Sequence, residues 1–196
     1  MERADVKELY FITPIANVPS IMQHGILSNK LSKKLPHKSL AMEEIQDRRK
    51  GKRIPGARKL HEYVNLYFDA HNPMLSKRRD QNNQICVLRV NPSVIDLSGV
   101  VISDRNASAD YSRFYTVKEG LTALDKDKIY AKYWTNAQNQ YDYWEQKSIK
   151  CAEILVPDRV ESQYILGAYI ANQTALKVFK KLRIQLTVSI RSDMFF

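Results

Sequence analysis

Seven short runs of aliphatic, β-branched and aromatic residues punctuate the chain, and their irregular spacing limits the fold more than any other feature. They are ELYFIT (8–13), YVNLYFD (63–69), QICVLRV (84–90), GVVIS (99–103), AEILVP (152–157), YILGAYIA (164–171) and IQLTVSI (184–190). Each has the length and residue types of a strand. The segments between them range from short turns to long polar stretches and do not repeat a strand–helix–strand unit, which argues against a doubly wound parallel sheet. The expectation is an α+β fold with a mixed, largely antiparallel sheet and flanking helices, in one domain spanning 1–196.

Helical signals fill part of the remainder. Pro19 opens a short segment, SIMQHG, that Gly25 closes. MEEIQDRRK (42–50) carries acids first and bases last, the order a helix dipole favours. NPMLSKRRD (72–80) starts with an Asn cap and a Pro in the first turn. DKIYAKYW and NQYDYWEQKS (within 127–148) read as two helices with aromatic faces, and ANQTALKVFKKL (171–182) as an amphipathic one. Residues 29–41 and 51–59 are basic loops, and 104–120 is loop-like.

Composition narrows the class. The net charge of +10 favours polyanionic partners, nucleic acid first. The two cysteines, Cys86 and Cys151, sit inside strand-like runs, and four scattered histidines form no ligand spacing, so no metal site is expected. No apolar run reaches membrane-spanning length, and MERADVKELYF lacks the apolar core of a secretory signal, so the expected location is the cytoplasm, with no membrane partner. No phosphate-binding glycine motif of the Rossmann or P-loop kind occurs.

Four places stand out chemically. At the end of the first strand, Ile12 and Thr13 offer backbone groups to a planar amide. Adjacent Arg48 and Arg49 point to different sides of their helix, so at most one faces inward as a clamp for phosphate. Tyr67 and Phe68 point to opposite faces of a strand, so one can pack in the core while the other lines a cleft. Glu153 heads the apolar strand CAEILVP, where a carboxylate must find water or a partner. Taken singly, each reads at least as well as ordinary structure: a solvated strand end for Glu153, a solvated face for the arginines, core packing for the aromatics.

In order along the chain, LYFITPIANVPSIMQHGILS, SLAMEEIQDRRKGKRIP, LHEYVNLYFDAHNPML, SDRNASADYSRFY, KYW, CAEILVP and IRSDMFF resemble the DarT family of DNA ADP-ribosyltransferase toxins. The resemblance implies an ADP-ribosyltransferase-like split β-sheet core. It also implies NAD+ as co-substrate without a metal, and transfer of ADP-ribose to a base of single-stranded DNA. Glu153 and Arg49 are carried over as catalytic residues. Phe11, Ile12, Thr13, Gly25, Arg49, Tyr67 and Phe68 would contact NAD+. Many members have His where Phe11 stands, and Arg where His71 precedes the Pro-Met turn. Members divide between thymine and guanine, and overall resemblance leans towards guanine. A hydrolase that removes the modification is the expected antitoxin.

For the acceptor strand, Arg48, Lys77, Arg78, Arg113, Tyr143, Lys147 and Lys150 are the candidate contacts, with basic loops 29–40 and 48–59 supplying phosphate-binding charge. The 141–144 aromatics read more readily as a helix face turned to the core than as a stacking platform. Two other classes stay open on the residues alone: an ADP-ribosyltransferase of RNA or protein, and a basic nucleic-acid-binding domain without catalysis.

Overall fold

The computed structural model describes residues 1–196. Its strands are β1 (Leu9–Pro14), β2 (Ile26–Leu27), β3 (Tyr63–Tyr67), β4 (Ile85–Val90), β5 (Val101–Ser103), β6 (Phe114–Tyr115), β7 (Glu153–Pro157), β8 (Arg159–Val160), β9 (Ile165–Ile170) and β10 (Val188–Ile190). The helices are α1 (Val18–His24), α2 (Asn29–Ser32), α3 (Glu43–Gly51), α4 (Pro73–Ser76), α5 (Val117–Ala123), α6 (Lys126–Ile129), α7 (Gln140–Ile149) and α8 (Gln173–Lys180). Eight strands form one sheet in the order β10-β9-β4-β1-β3-β7-β5-β6, while β2 and β8 pair separately. Only β9 and β10 run parallel; every other ladder is antiparallel. The fold is α+β, as expected.

The sheet is continuous in pairing but split in geometry. β1 and β4 pair over six residues and β3 and β7 over five, yet β1 and β3 meet at a single position, Tyr10 opposite Tyr67. Beyond Tyr10 the β3-facing edge of β1, from Phe11 to Thr13, has no strand partner. That splay opens a wedge between the halves of the sheet.

Alternation along each strand sorts the two faces. Leu9, Leu66, Leu88, Ile154 and Ile170 belong to the larger core, which Ile21 of α1 and Phe179 of α8 complete. Ile12, Tyr67, Val87 and Cys151 belong to a smaller cluster on the other side, covered by Leu75 of α4 and by Phe195. Phe68, just beyond β3, is buried in the larger core, a burial that stabilises by about 1.5–3 kcal/mol.

Several segments depart from expectation for local reasons. The 104–120 stretch contains β6 and the start of α5, which Thr116 caps through its hydroxyl. Only 188–190 of IQLTVSI joins the sheet. The two aromatic helices expected within 127–148 contract to one turn at Lys126–Ile129 and to α7, whose start is set by the Asn139 side chain accepting from Asp142 N–H. Residues 29–41 begin with the short α2 before turning irregular. β2 and β8 are two residues each, too short to leave a periodic pattern. Gly25, at the end of α1, has φ +79°, and a Cβ there would lie 2.5 Å from the Val160 carbonyl oxygen, so the approach of β8 requires glycine. No helix is long and apolar enough to cross a membrane.

Candidate active site

The wedge between β1 and β3 is the mouth of a cleft of about 400 Å³, within the range of small-molecule sites. Phe11, Ile12 and Thr13 line it from β1, Tyr63, Val64, Asn65 and Tyr67 from β3, Glu153 from β7 and Arg49 from α3. Gly25 lines it as well. The expected backbone edge at Ile12 and Thr13 therefore faces a cavity. Phe68 does not, and its expected contact with NAD+ is corrected: strand alternation sends Tyr67 to the cleft and Phe68 into the core.

Register explains the position of Glu153. Tyr10, Tyr67, Glu153 and Ser103 are successive cross-strand neighbours, so they form one row on one face of the sheet. Pairing on both sides fixes the β7 backbone at that row, and the carboxylate is 1% exposed. It is no solvated strand end. Nη1 of Arg49 lies 3.1 Å from both carboxylate oxygens, and the Ala107 amide donates to Oε1 at 3.3 Å. Buried charges of this kind persist when paired and hydrogen-bonded.

Arg49 is the only buried residue of α3, whereas Arg48, one position earlier, is exposed and pairs with Glu44 four residues back at 2.8 Å. The helix thus turns one arginine of the pair inward, as its periodicity demands. Only Nη1 of the guanidinium has a protein partner, so the remaining N–H groups are left for a ligand in the cleft.

Burial, with the Glu153 charge adding to it, holds the Tyr67 phenol far above its ordinary range. Burial, again with Glu153, pushes the Cys151 thiol up to about 12, so this cleft-lining cysteine is a neutral wall rather than a nucleophile. Asn29 Oδ1 and His61 Nε2, both on residues lining the cleft, are buried without a protein partner. Such orphaned polar atoms are uncommon in finished interiors and suit a polar ligand. Burial also lowers the His61 pKa, favouring the neutral ring.

The segment 37–41 is strapped across the cleft. Asn17 donates to the Lys38 carbonyl at 2.8 Å and accepts from its amide at 3.0 Å, and Arg78 holds the Leu40 carbonyl from Nε at 2.8 Å and Nη2 at 2.6 Å. Arg78 is therefore engaged as a strap. Lys77 remains exposed at the rim, and Arg113 is exposed on the loop before β6. Sequence reasoning missed Asn17, Asn29, His61 and Ala107, because a lone Asn or His and a backbone amide carry no pattern.

Two acceptor-side expectations are corrected. Lys150 is fully buried, with its ammonium on Asp69 and on the Ile129 carbonyl at 2.8 Å, so it cannot meet a nucleic acid. The 141–144 aromatics do not turn inward: Tyr141 is 74% and Trp144 55% exposed. Lys147 lies over the Trp144 ring at 4.5 Å and the Tyr143 ring at 5.4 Å, and it also lines the cleft. No group of His, Cys, Asp and Glu side chains suits a metal ion.

Comparison with known proteins agrees with this fold. A sequence model described as "ssDNA thymidine ADP-ribosyltransferase, DarT" matches residues 10–196. A DNA ADP-ribosyl transferase of Thermus aquaticus is 32% identical over 161 residues, covering 76% of this chain and 68% of the relative. A DNA ADP-ribosyl transferase–DNA ADP-ribosyl glycohydrolase fusion protein of Thermosipho africanus is 29% identical over 187 residues, 89% of this chain. The present chain spans 45% of that fusion's length. Among solved structures, Thermus sp. 2.9 DarT in complex with ADP-ribosylated ssDNA superposes with a TM-score of 0.82 at 26% identity, covering 98% of this chain and 97% of that one. The same Thermus protein, solved with carba-NAD+, gives 0.76 at 25% identity, covering 98% and 99%. With its split sheet, its inward arginine and its strand-borne carboxylate, the chain belongs to the DarT family of NAD-dependent DNA ADP-ribosyltransferases.

Proposed function

We propose that this protein transfers ADP-ribose from NAD+ to a base of single-stranded DNA, with Glu153 and Arg49 at the reacting centre. The observation that carries the reading is the buried Arg49–Glu153 pair at the wall of the β1–β3 cleft. In the reaction the bond between nicotinamide and ribose C1′ breaks, and nicotinamide leaves with the electron pair as a neutral base. The ribose carbon passes through an oxocarbenium-like state, and a nucleobase nitrogen then forms the new bond. Glu153 stabilises the positive charge and accepts the proton that the base releases. Arg49 holds that carboxylate through Nη1 and offers its remaining donors to NAD+ phosphate or ribose. Phe11, Ile12, Thr13, Gly25 and Tyr67 shape the nicotinamide end. Carba-NAD+ and ADP-ribosylated ssDNA, bound by the Thermus protein, are the corresponding substrate mimic and product.

For the acceptor strand, α7 offers what single-stranded nucleic acid binds best: exposed rings interleaved with positive charge, leading into the cleft through Lys147. Lys77 and Arg113 extend the basic rim, and Arg48, already paired with Glu44, lies outside it at lower priority. On the base itself, the family description names thymidine. That weighs against the lean to guanine, and thymine is the acceptor we would test first. The glycohydrolase half of the Thermosipho fusion supports a toxin role with a hydrolase antitoxin; the cytoplasm is the location we propose for it.

The test incubates the purified chain with NAD+ and single-stranded oligonucleotides that each contain one thymine or one guanine, followed by mass spectrometry. A mass gain of one ADP-ribose on the thymine oligonucleotide alone is expected. Gain on guanine alone reverses the base assignment. In parallel reactions with RNA and with protein, gain there alone rejects DNA as acceptor, and no release of nicotinamide in any reaction leaves a binding domain.

A further inference from the structure

Lys52, three residues beyond Arg49, belongs to a basic loop that reads in sequence as a phosphate-binding surface. The structure turns it inward instead. Its ammonium donates to the Ala109 carbonyl and to Ser112 Oγ, the latter at 2.6 Å, and sits 5.6 Å from the Phe114 ring centroid. Burial lowers its pKa, as expected for an ammonium drawn out of water.

Its hydrogen bonds lead to the Glu153 carboxylate. Ser112 Oγ, which accepts from Lys52, donates to the Ala107 carbonyl at 3.2 Å. Ala107 is buried, and its own amide donates to Glu153 Oε1 at 3.3 Å. Both backbone groups of Ala107 are thus held, one by the chain from Lys52 and one by the carboxylate. The other end of the loop is pinned where the Asn106 amide donates to the Ser148 carbonyl at 3.0 Å. Apart from Arg49, Ala107 is the sole hydrogen-bond donor to the Glu153 carboxylate. An amide on a loop with no strand partner keeps its aim only if the loop is fixed from behind.

We propose that Lys52 and Ser112 are positioning residues, which hold the 104–112 loop so that the Ala107 amide orients Glu153 for the chemical step. The proposal rests on the reading of Glu153 as the reacting carboxylate. A donor displaced by about 1 Å at such a site costs up to about a hundredfold in rate, and partial loosening about tenfold.

Kinetics of the full chain with NAD+ and a single-stranded oligonucleotide test this, using Lys52→Met, Ser112→Ala, the double variant and Glu153→Gln. Each single variant is expected to lower kcat by roughly tenfold, with KM for both substrates within about twofold of wild type. The double variant should fall no further than the worse single, because the residues act as one chain. Lys52→Arg, which keeps a donor, should recover most of the loss. A raised KM for DNA in Lys52→Met with a silent Ser112→Ala would overturn the proposal and make Lys52 a phosphate contact. Lowered melting temperature with unchanged kcat in both singles would overturn it as well, leaving a purely structural contact. Should Lys52→Met not fold, Ser112→Ala alone decides, since wild-type kcat there breaks the chain. An inactive Glu153→Gln beside fully active Lys52 and Ser112 variants sinks this proposal only, whereas an active Glu153→Gln sinks the reading beneath it.

Discussion

Two ion pairs, each with a buried member, stand within four residues of each other at the head of β7, and they do different work. Lys150 faces no cavity: its ammonium meets Asp69 and the Ile129 carbonyl, and it lines no part of the cleft. It ties the end of α7 to the segment after β3. Arg49 and Glu153 are both buried, yet the arginine uses only one nitrogen and both residues line the cavity. Burying an ion pair is weak evidence of stabilisation, because desolvation offsets much of the attraction. What separates structure from site here is the unused hydrogen-bonding capacity turned towards a cavity.

Breaking each pair should produce opposite signatures. Glu153→Gln keeps the shape and an acceptor for Arg49, yet it should lower modification of DNA about a thousandfold, measured as ADP-ribosylated oligonucleotide per unit time. Wild-type turnover in that variant would remove the carboxylate from the mechanism. Lys150→Met should do the reverse. We expect a loss of about 3 kcal/mol, a drop in melting temperature of roughly 6–12 °C, and turnover per folded molecule within about twofold of wild type. If kcat collapsed while the melt stayed in place, the two pairs would not differ as described.

The acceptor surface gives a smaller effect. Trp144→Ala should weaken single-stranded DNA binding by about 1–2 kcal/mol, roughly tenfold, with KM for NAD+ unaffected. Titration of a fluorescent oligonucleotide measures it, and unchanged affinity would return α7 to the role of a bystander.

The smallest effect is that of His61. Burial depresses its folded pKa below the ordinary histidine value, so the fold favours the neutral ring. Its contribution is complete above the ordinary histidine range and declines as pH falls through the depressed value. The melting temperature should therefore drop on mild acidification, and His61→Gln should flatten that part of the curve. An unchanged acid slope would mean that other groups set it.

Much of the fold was legible because its signals are local. The seven apolar runs coincide with seven of the ten strands, and the acid-to-base order of 43–50 marks α3. Strand alternation alone required Tyr67 and Phe68 to part, though not which of them would meet the cleft. β2, β8 and β6 stayed hidden because two residues make no period. Lys150 was misread as a nucleic-acid contact because a lysine in a basic, aromatic neighbourhood looks solvated until its partner, Asp69, arrives from 81 residues away.

By itself, the sequence determined the residue types and periodicities: strands that must pair, a helix able to turn one of two adjacent arginines inward, and a carboxylate at the head of an apolar strand. The ordered blocks also carried the family resemblance, since they persist in sequence. Only tertiary structure decided that β1 and β3 would meet at one residue and splay, that Arg49 would cross 104 positions to reach Glu153, and that Lys52 would turn away from solvent to brace the Ala107 loop. Those outcomes depend on register and on long-range hydrogen bonds, whose energies are settled only when distant segments are brought together.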